Sequence, residues 1–141
     1  TAGTINGEAN LQFDGSTLSV TGDVTITGSL TAASKSFDIP HPTKEGYRLR
    51  YGVLEGPEHG VYFRGKTTSN VIELPEYWSN LVDAETVTVQ LTPIKTPVQH
   101  YVIKVDSNKV YIDSDTNQIN TYFIVYAERK DTEKVLHEYK P

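Results

Sequence analysis

Residues 36–66, SFDIPHPTKEGYRLRYGVLEGPEHGVYFRGK, decide the reading of this chain. Pro40 and Pro42 bracket His41, fixing two φ angles and pushing Ile39 and His41 toward extended backbone, so no helix can run through this segment. After Lys44-Glu45-Gly46, the residues Tyr47, Leu49, Tyr51 and Val53 alternate with Arg48, Arg50 and Gly52, the two-residue period of a strand with one buried face. Glu55-Gly56-Pro57-Glu58 then reverses the chain, and Val61-Tyr62-Phe63-Arg64 is expected to pair antiparallel with the strand before it.

Working outward toward the N-terminus, the pattern changes. Leu18, Val24 and Leu30 recur every sixth residue, as do Val20, Ile26 and Ala32, and Gly22 and Gly28 keep the same step. Each repeat puts two apolar residues on one face and a glycine at the turn, so a single copy carries an apolar stripe that must find another surface. Three copies wound about one axis would supply that surface, with Leu18, Val20, Val24, Ile26 and Leu30 inward and Thr21, Asp23, Thr25 and Thr27 in water. A glycine-turned meander packed on its own domain is the alternative. Residues 1–10, TAGTINGEAN, are small and polar and read as an end that is flexible or ordered by a partner. Ala32 to Lys35 reads as a joint, which divides the chain into a shaft (1–35) and a head (36–141).

Toward the C-terminus, Val71 to Leu74 is a short strand ended by Pro75, and Pro75 to Leu81 suits one helical turn, with proline at its start and Trp78 and Leu81 three apart. It is expected to be the only helix. Strands follow at Thr86 to Leu91, His100 to Val105 and Lys109 to Ile112, the last two forming a hairpin across Asp106-Ser107-Asn108. Tyr122 to Glu128 is almost continuously apolar and should lie at the centre of a sheet. The expected fold is all-β: a short repetitive β shaft, then an antiparallel β-sandwich-like head with one short helical turn.

Composition narrows the function. With no cysteine in 141 residues, disulfides and thiolate metal sites are excluded. A net charge of −5 and the lack of any long basic run argue against nucleic acid as a partner. There is no apolar run of about 18 residues and no charged-then-apolar leader, so neither a membrane span nor a signal peptide is expected. Nine tyrosines beside many threonines and valines suit a β protein whose rings keep their polar tips wet. The chain has no methionine and starts at Thr1, which reads as a fragment or processed product.

The segments Phe37-x-Ile39-Pro40-His41-Pro42 and Glu55-Gly56-Pro57-Glu58-x-x-Val61-Tyr62-x-Arg64-Gly65 resemble a small domain of phage tail-fibre and virion structural proteins. The likeness continues through Leu74-Pro75-Glu76-Tyr77-Trp78, Val89-Gln90-Leu91-Thr92-Pro93 and Ala127-Glu128-Arg129-Lys130-Asp131, so it covers roughly residues 36 to 131. The resemblance implies a homotrimeric virion fibre, associated with itself and with other fibre or baseplate proteins. It implies no particular receptor.

The candidate chemistry is sparse. Asp113-Ser114-Asp115-Thr116-Asn117 has oxygen groups at alternate positions, yet Gln118 and Ile124 stand where a calcium loop needs Gly and Glu, so a polar turn is expected. His41, His59, His100 and His137 show no zinc spacing, and no position is marked for three imidazoles on a three-fold axis. No nucleophile elbow, phosphate loop or carboxylate pair is present, so no enzyme activity and no cofactor are expected. A glycan depolymerase or self-cleaving fibre segment is the remote alternative; the Ser and Lys module of self-cleaving fibres has no counterpart before Pro141. Arg48, Arg50, Arg64 and Lys66 could hold an anionic glycan or a partner subunit, although ion pairs with Glu55 and Glu58 are the commoner outcome. Tyr47, Tyr51, Tyr62, Tyr77, Trp78 and Tyr101 could stack on sugars, although most such rings are core. Arg48, Arg50, Arg64, Tyr77 and Trp78 form the candidate face for a host saccharide or partner.

Overall fold

Strands form wherever alternating apolar residues find a partner strand, and the chain does this in two separate units, Thr1–Ser34 and Lys35–Pro141. The computed structural model describes residues 9–95, 97–106, 108–136 and 138–140. Residues 1–8 of the expected flexible or partner-ordered end (1–10), Ser107 of the expected turn and His137 lie outside the described residues. Lys35 falls with the second unit rather than the first. Its carbonyl accepts from Val53 N–H at 3.2 Å and its ammonium pairs with Glu55.

In the first unit, β1 (Leu11–Phe13) and β2 (Leu18–Val20) form an antiparallel hairpin that the six-residue pattern did not foretell. Its turn is held by Asp14, whose carboxylate accepts from Thr17 N–H at 2.8 Å, Ser16 N–H at 2.9 Å and Ser16 Oγ at 2.8 Å. These bonds, that of Thr17 first, lower the Asp14 pKa. Gly15 takes a φ of 99°, which a side chain would resist. Residues 21–34 enter no strand, so within one chain the repeats at Val24 and Leu30 have no ladder partner.

The second unit is all-β and antiparallel. β3 (Ser36–Pro40) pairs with β4 (Arg48–Gly52), and β5 (Gly60–Thr67) pairs with β10 (Thr121–Glu128). The expected hairpin between β4 and β5 is therefore corrected. β3 takes β4 because Asp38 lies opposite Arg50, while all eight residues of β5 find partners along β10. β7 (Thr88–Pro93) flanks β10 on its other side, which places β10 at the centre as its apolar run implies. A second three-stranded sheet has the order β6 (Val71–Glu73), β9 (Lys109–Ser114), β8 (His100–Asp106). β8 is an edge strand with a register shift between Val102 and Lys104, an irregularity that discourages pairing by a foreign strand.

α1 (Trp78–Leu81) supplies the expected helical turn, but a 3-10 turn at Ala84–Thr86 follows it. The second turn forms because Asp83 accepts from Glu85 N–H at 3.1 Å, a local cap that the strand pattern concealed. The inner faces of both larger sheets meet α1 in one core: Val61, Phe123, Val125 and Ala127 from one, Ile72, Val110 and Ile112 from the other, with Leu49, Trp78 and Leu81 between. Trp78, Leu81, Val110 and Val125 are completely buried. The few buried polar groups are satisfied: Ser114 Oγ donates to Gln118 O at 2.9 Å and Thr121 Oγ1 to Tyr122 O at 2.9 Å.

Candidate functional site

A surface that recognises something must present side chains that the fold itself leaves unused. In the first unit, Leu18 is 59%, Val24 63% and Leu30 67% exposed, and Val20 and Ile26 are exposed as well. The whole stripe is thus bare, and the meander that would have packed it against its own chain is absent from the described residues. Water ordered on five such side chains is a cost that association removes, at about 25 cal/mol per Å² of apolar area.

In the second unit the five residues of the expected ligand face do not come together. Trp78 is removed from it outright: the side chain is 0% exposed, and its indole N–H points to the Tyr51 hydroxyl at 3.5 Å. Tyr77 is half-buried, with its hydroxyl 2.5 Å from that of Tyr51 and the edge of His41 against its ring. Burial, then the hydrogen bond to Tyr51, raises the Tyr77 pKa, so the phenol stays neutral. The polar tips of these rings are consumed inside the fold. Arg48 and Arg50 are consumed too, but by Asp38 rather than by Glu55 or Glu58. Arg48 Nε lies 2.6 Å from one Asp38 oxygen, and Arg50 Nε lies 2.9 Å from the other. The two guanidiniums, Arg50 first, lower the Asp38 pKa.

Arg129 and Asp131 form the best sheltered of these pairs, with Nε–Oδ1 and Nη2–Oδ2 both at 2.8 Å and the guanidinium 3.9 Å over the Phe37 ring. Arg129 holds the Asp131 carboxyl below its ordinary pKa. His100 is satisfied at both nitrogens: Nδ1 meets Val98 O at 3.0 Å and Nε2 accepts from Asn120 N–H at 3.3 Å. Asp113 spends a carboxylate oxygen on Ser114 N–H at 2.8 Å, and no group of three His, Asp or Glu suited to a metal occurs among the described residues. No described helix is long and apolar enough to cross a membrane.

What remains is Arg64, on the outer face of β5, with Lys66 and Tyr122 beside it around a shallow depression of about 480 Å³. Sequence reasoning included Arg64 and Lys66 in a patch with Arg48 and Arg50, but it did not select Tyr122. The alternation in Tyr122, Ile124 and Tyr126 was the available signal, hidden because the strand was read for its buried face alone. No protein-family model, curated protein or solved structure matches this chain.

Proposed function

We propose that this chain is a structural segment of a phage virion fibre, assembled as a homotrimer, with a head that contributes to attachment at the host surface. The exposed stripe of Leu18, Val20, Val24, Ile26 and Leu30 carries the reading, because a six-residue apolar repeat without cover in its own chain is stable in water only when other copies enclose it. The motif resemblance over residues 36 to 131 supplies the virion context, and other fibre or baseplate proteins are the further partners. The chain does no chemistry in this reading.

Sedimentation equilibrium at micromolar concentration tests it. The expected mass is three times 15.7 kDa, and a stable monomer would remove the fibre reading. A second role, recognition of a surface saccharide, is favoured by the bare cations on the outer face of β5.

A further inference from the structure

The outer face of the β5–β10–β7 sheet can be written out from its register. β5 contributes Tyr62, Arg64 and Lys66; β10 sets Tyr126, Ile124 and Tyr122 opposite them; β7 adds Thr88, Gln90 and Thr92. These residues share a face because side chains alternate along a strand. None of the nine is acidic, in a chain with 18 acidic residues and a net charge of −5. Of the four arginines, Arg48, Arg50 and Arg129 each hold a carboxylate, whereas Arg64 holds none among the described residues, and neither does Lys66. Both cations are exposed, and the Tyr122 ring opposite Lys66 is 56% exposed.

We propose that this face binds an acidic saccharide, with a sugar ring laid on Tyr122 and its carboxylate or sulfate held by Arg64 and Lys66. The proposal rests on the attachment reading above for its biological setting, while the site lies within one head. Three features choose the ligand. The charge on the face is positive and uncompensated, which calls for an anion. Both ladders of β10 are occupied, so an added peptide strand could pair only at the outer edges of β5 or β7, and around Tyr122 only side-chain tips are on offer. Those tips are a flat ring with an apolar face, tyrosine hydroxyls, the Gln90 amide and the Thr92 hydroxyl, which suit a ring carrying both C–H and O–H groups. A single contact of this size is weak, and three heads on one fibre would strengthen it by avidity.

Titration calorimetry of the full chain against four probes tests this: a sialic acid hexamer, a heparin-derived hexasaccharide, maltohexaose and hexaglutamate. The expected result is binding of one or both anionic sugars, weakening with salt, and none of maltohexaose. Comparison of the two anionic sugars tells whether carboxylate or sulfate is the preferred anion. Replacing Arg64→Gln and Lys66→Gln together should weaken binding about tenfold or more. Tyr122→Ala, which leaves the charge intact, should weaken it severalfold, and Lys104→Gln on β8 should leave it unchanged. Unaltered circular dichroism and urea midpoints confirm that the variants fold. Failure of both anionic sugars to bind overturns the proposal. So does hexaglutamate binding as tightly with Tyr122→Ala without effect, which would indicate an acidic protein partner. Sedimentation of the same samples separates the two readings. A trimer that binds no sugar loses only this site; a monomer that binds sugar keeps the site and loses the fibre.

Discussion

The same residue types meet opposite fates in the two units. Leucine, valine and isoleucine in residues 18–30 stand in water, whereas Val110, Ile112, Val125 and Leu81 in the second unit are buried almost completely. The difference is one of partners within reach. β10 has a strand on each side and a second sheet beneath it, while Val24 and Leu30 have neither. Hydrophobicity therefore sets the demand for burial, and topology decides whether one chain can meet it.

That contrast can be broken from either side. The largest effect expected is on assembly: Leu18→Ser, Val24→Ser and Leu30→Ser together should turn the trimer into monomers in sedimentation, while the urea transition of the head moves by less than about 0.5 kcal/mol. Breaking the other side, Trp78→Ala should cost the head about 3–5 kcal/mol in urea unfolding, because it empties the centre of the core. Gly65→Ala should cost about 1–3 kcal/mol in the same measurement, since a Cβ there would sit 2.8 Å from Phe123 Cζ, within a ring already packed on Phe63.

The smallest effect concerns pH. Arg129 depresses the folded pKa of Asp131 below its ordinary value of 3.8. The pair's contribution is therefore fully present above that ordinary value, and it is lost as pH falls through the depressed one. Asp131→Asn should remove up to about 1 kcal/mol at neutral pH. It should also flatten the acid limb of the urea midpoint plotted against pH; an unchanged limb would show that Asp131 does not titrate with folding.

How much of this was legible in the sequence depended on whether a local pattern implied a partner. The centrality of β10 was legible from its apolar run, although only its inner face is buried and Tyr122 on the other stands in water. The six-residue step was legible too, but whether its apolar side chains stay exposed in one chain was not, since a meander packed on its own domain would carry the same spacing. The partner of β4 was not. Alternation from Tyr47 to Val53 specifies a strand but carries no information about which strand lies beside it, and the Glu55 to Glu58 reversal looks like a hairpin turn although residues 53–59 form a longer loop. Asp38 went unnoticed for the same reason, being ten residues from Arg48 in sequence and hydrogen-bonded to it only through the β3–β4 register. Trp78 was misplaced despite a usable signal. Its three-residue spacing from Leu81 already pointed to the inner side of the helical turn, which outweighs the enrichment of tryptophan at binding surfaces.

The position of β10 also bears on how the head is made. β5 and β7 are finished by residue 93, yet among the described residues each has β10 as its only sheet neighbour, and β10 ends at Glu128. As the polypeptide leaves the ribosome, both strands must wait unpaired until that late segment emerges, so folding is held back by chain order rather than by chain length. A nascent chain whose emerged part stops a few residues before Thr121 would present two open ladders at once, the state in which the head is most exposed to chaperones and proteases.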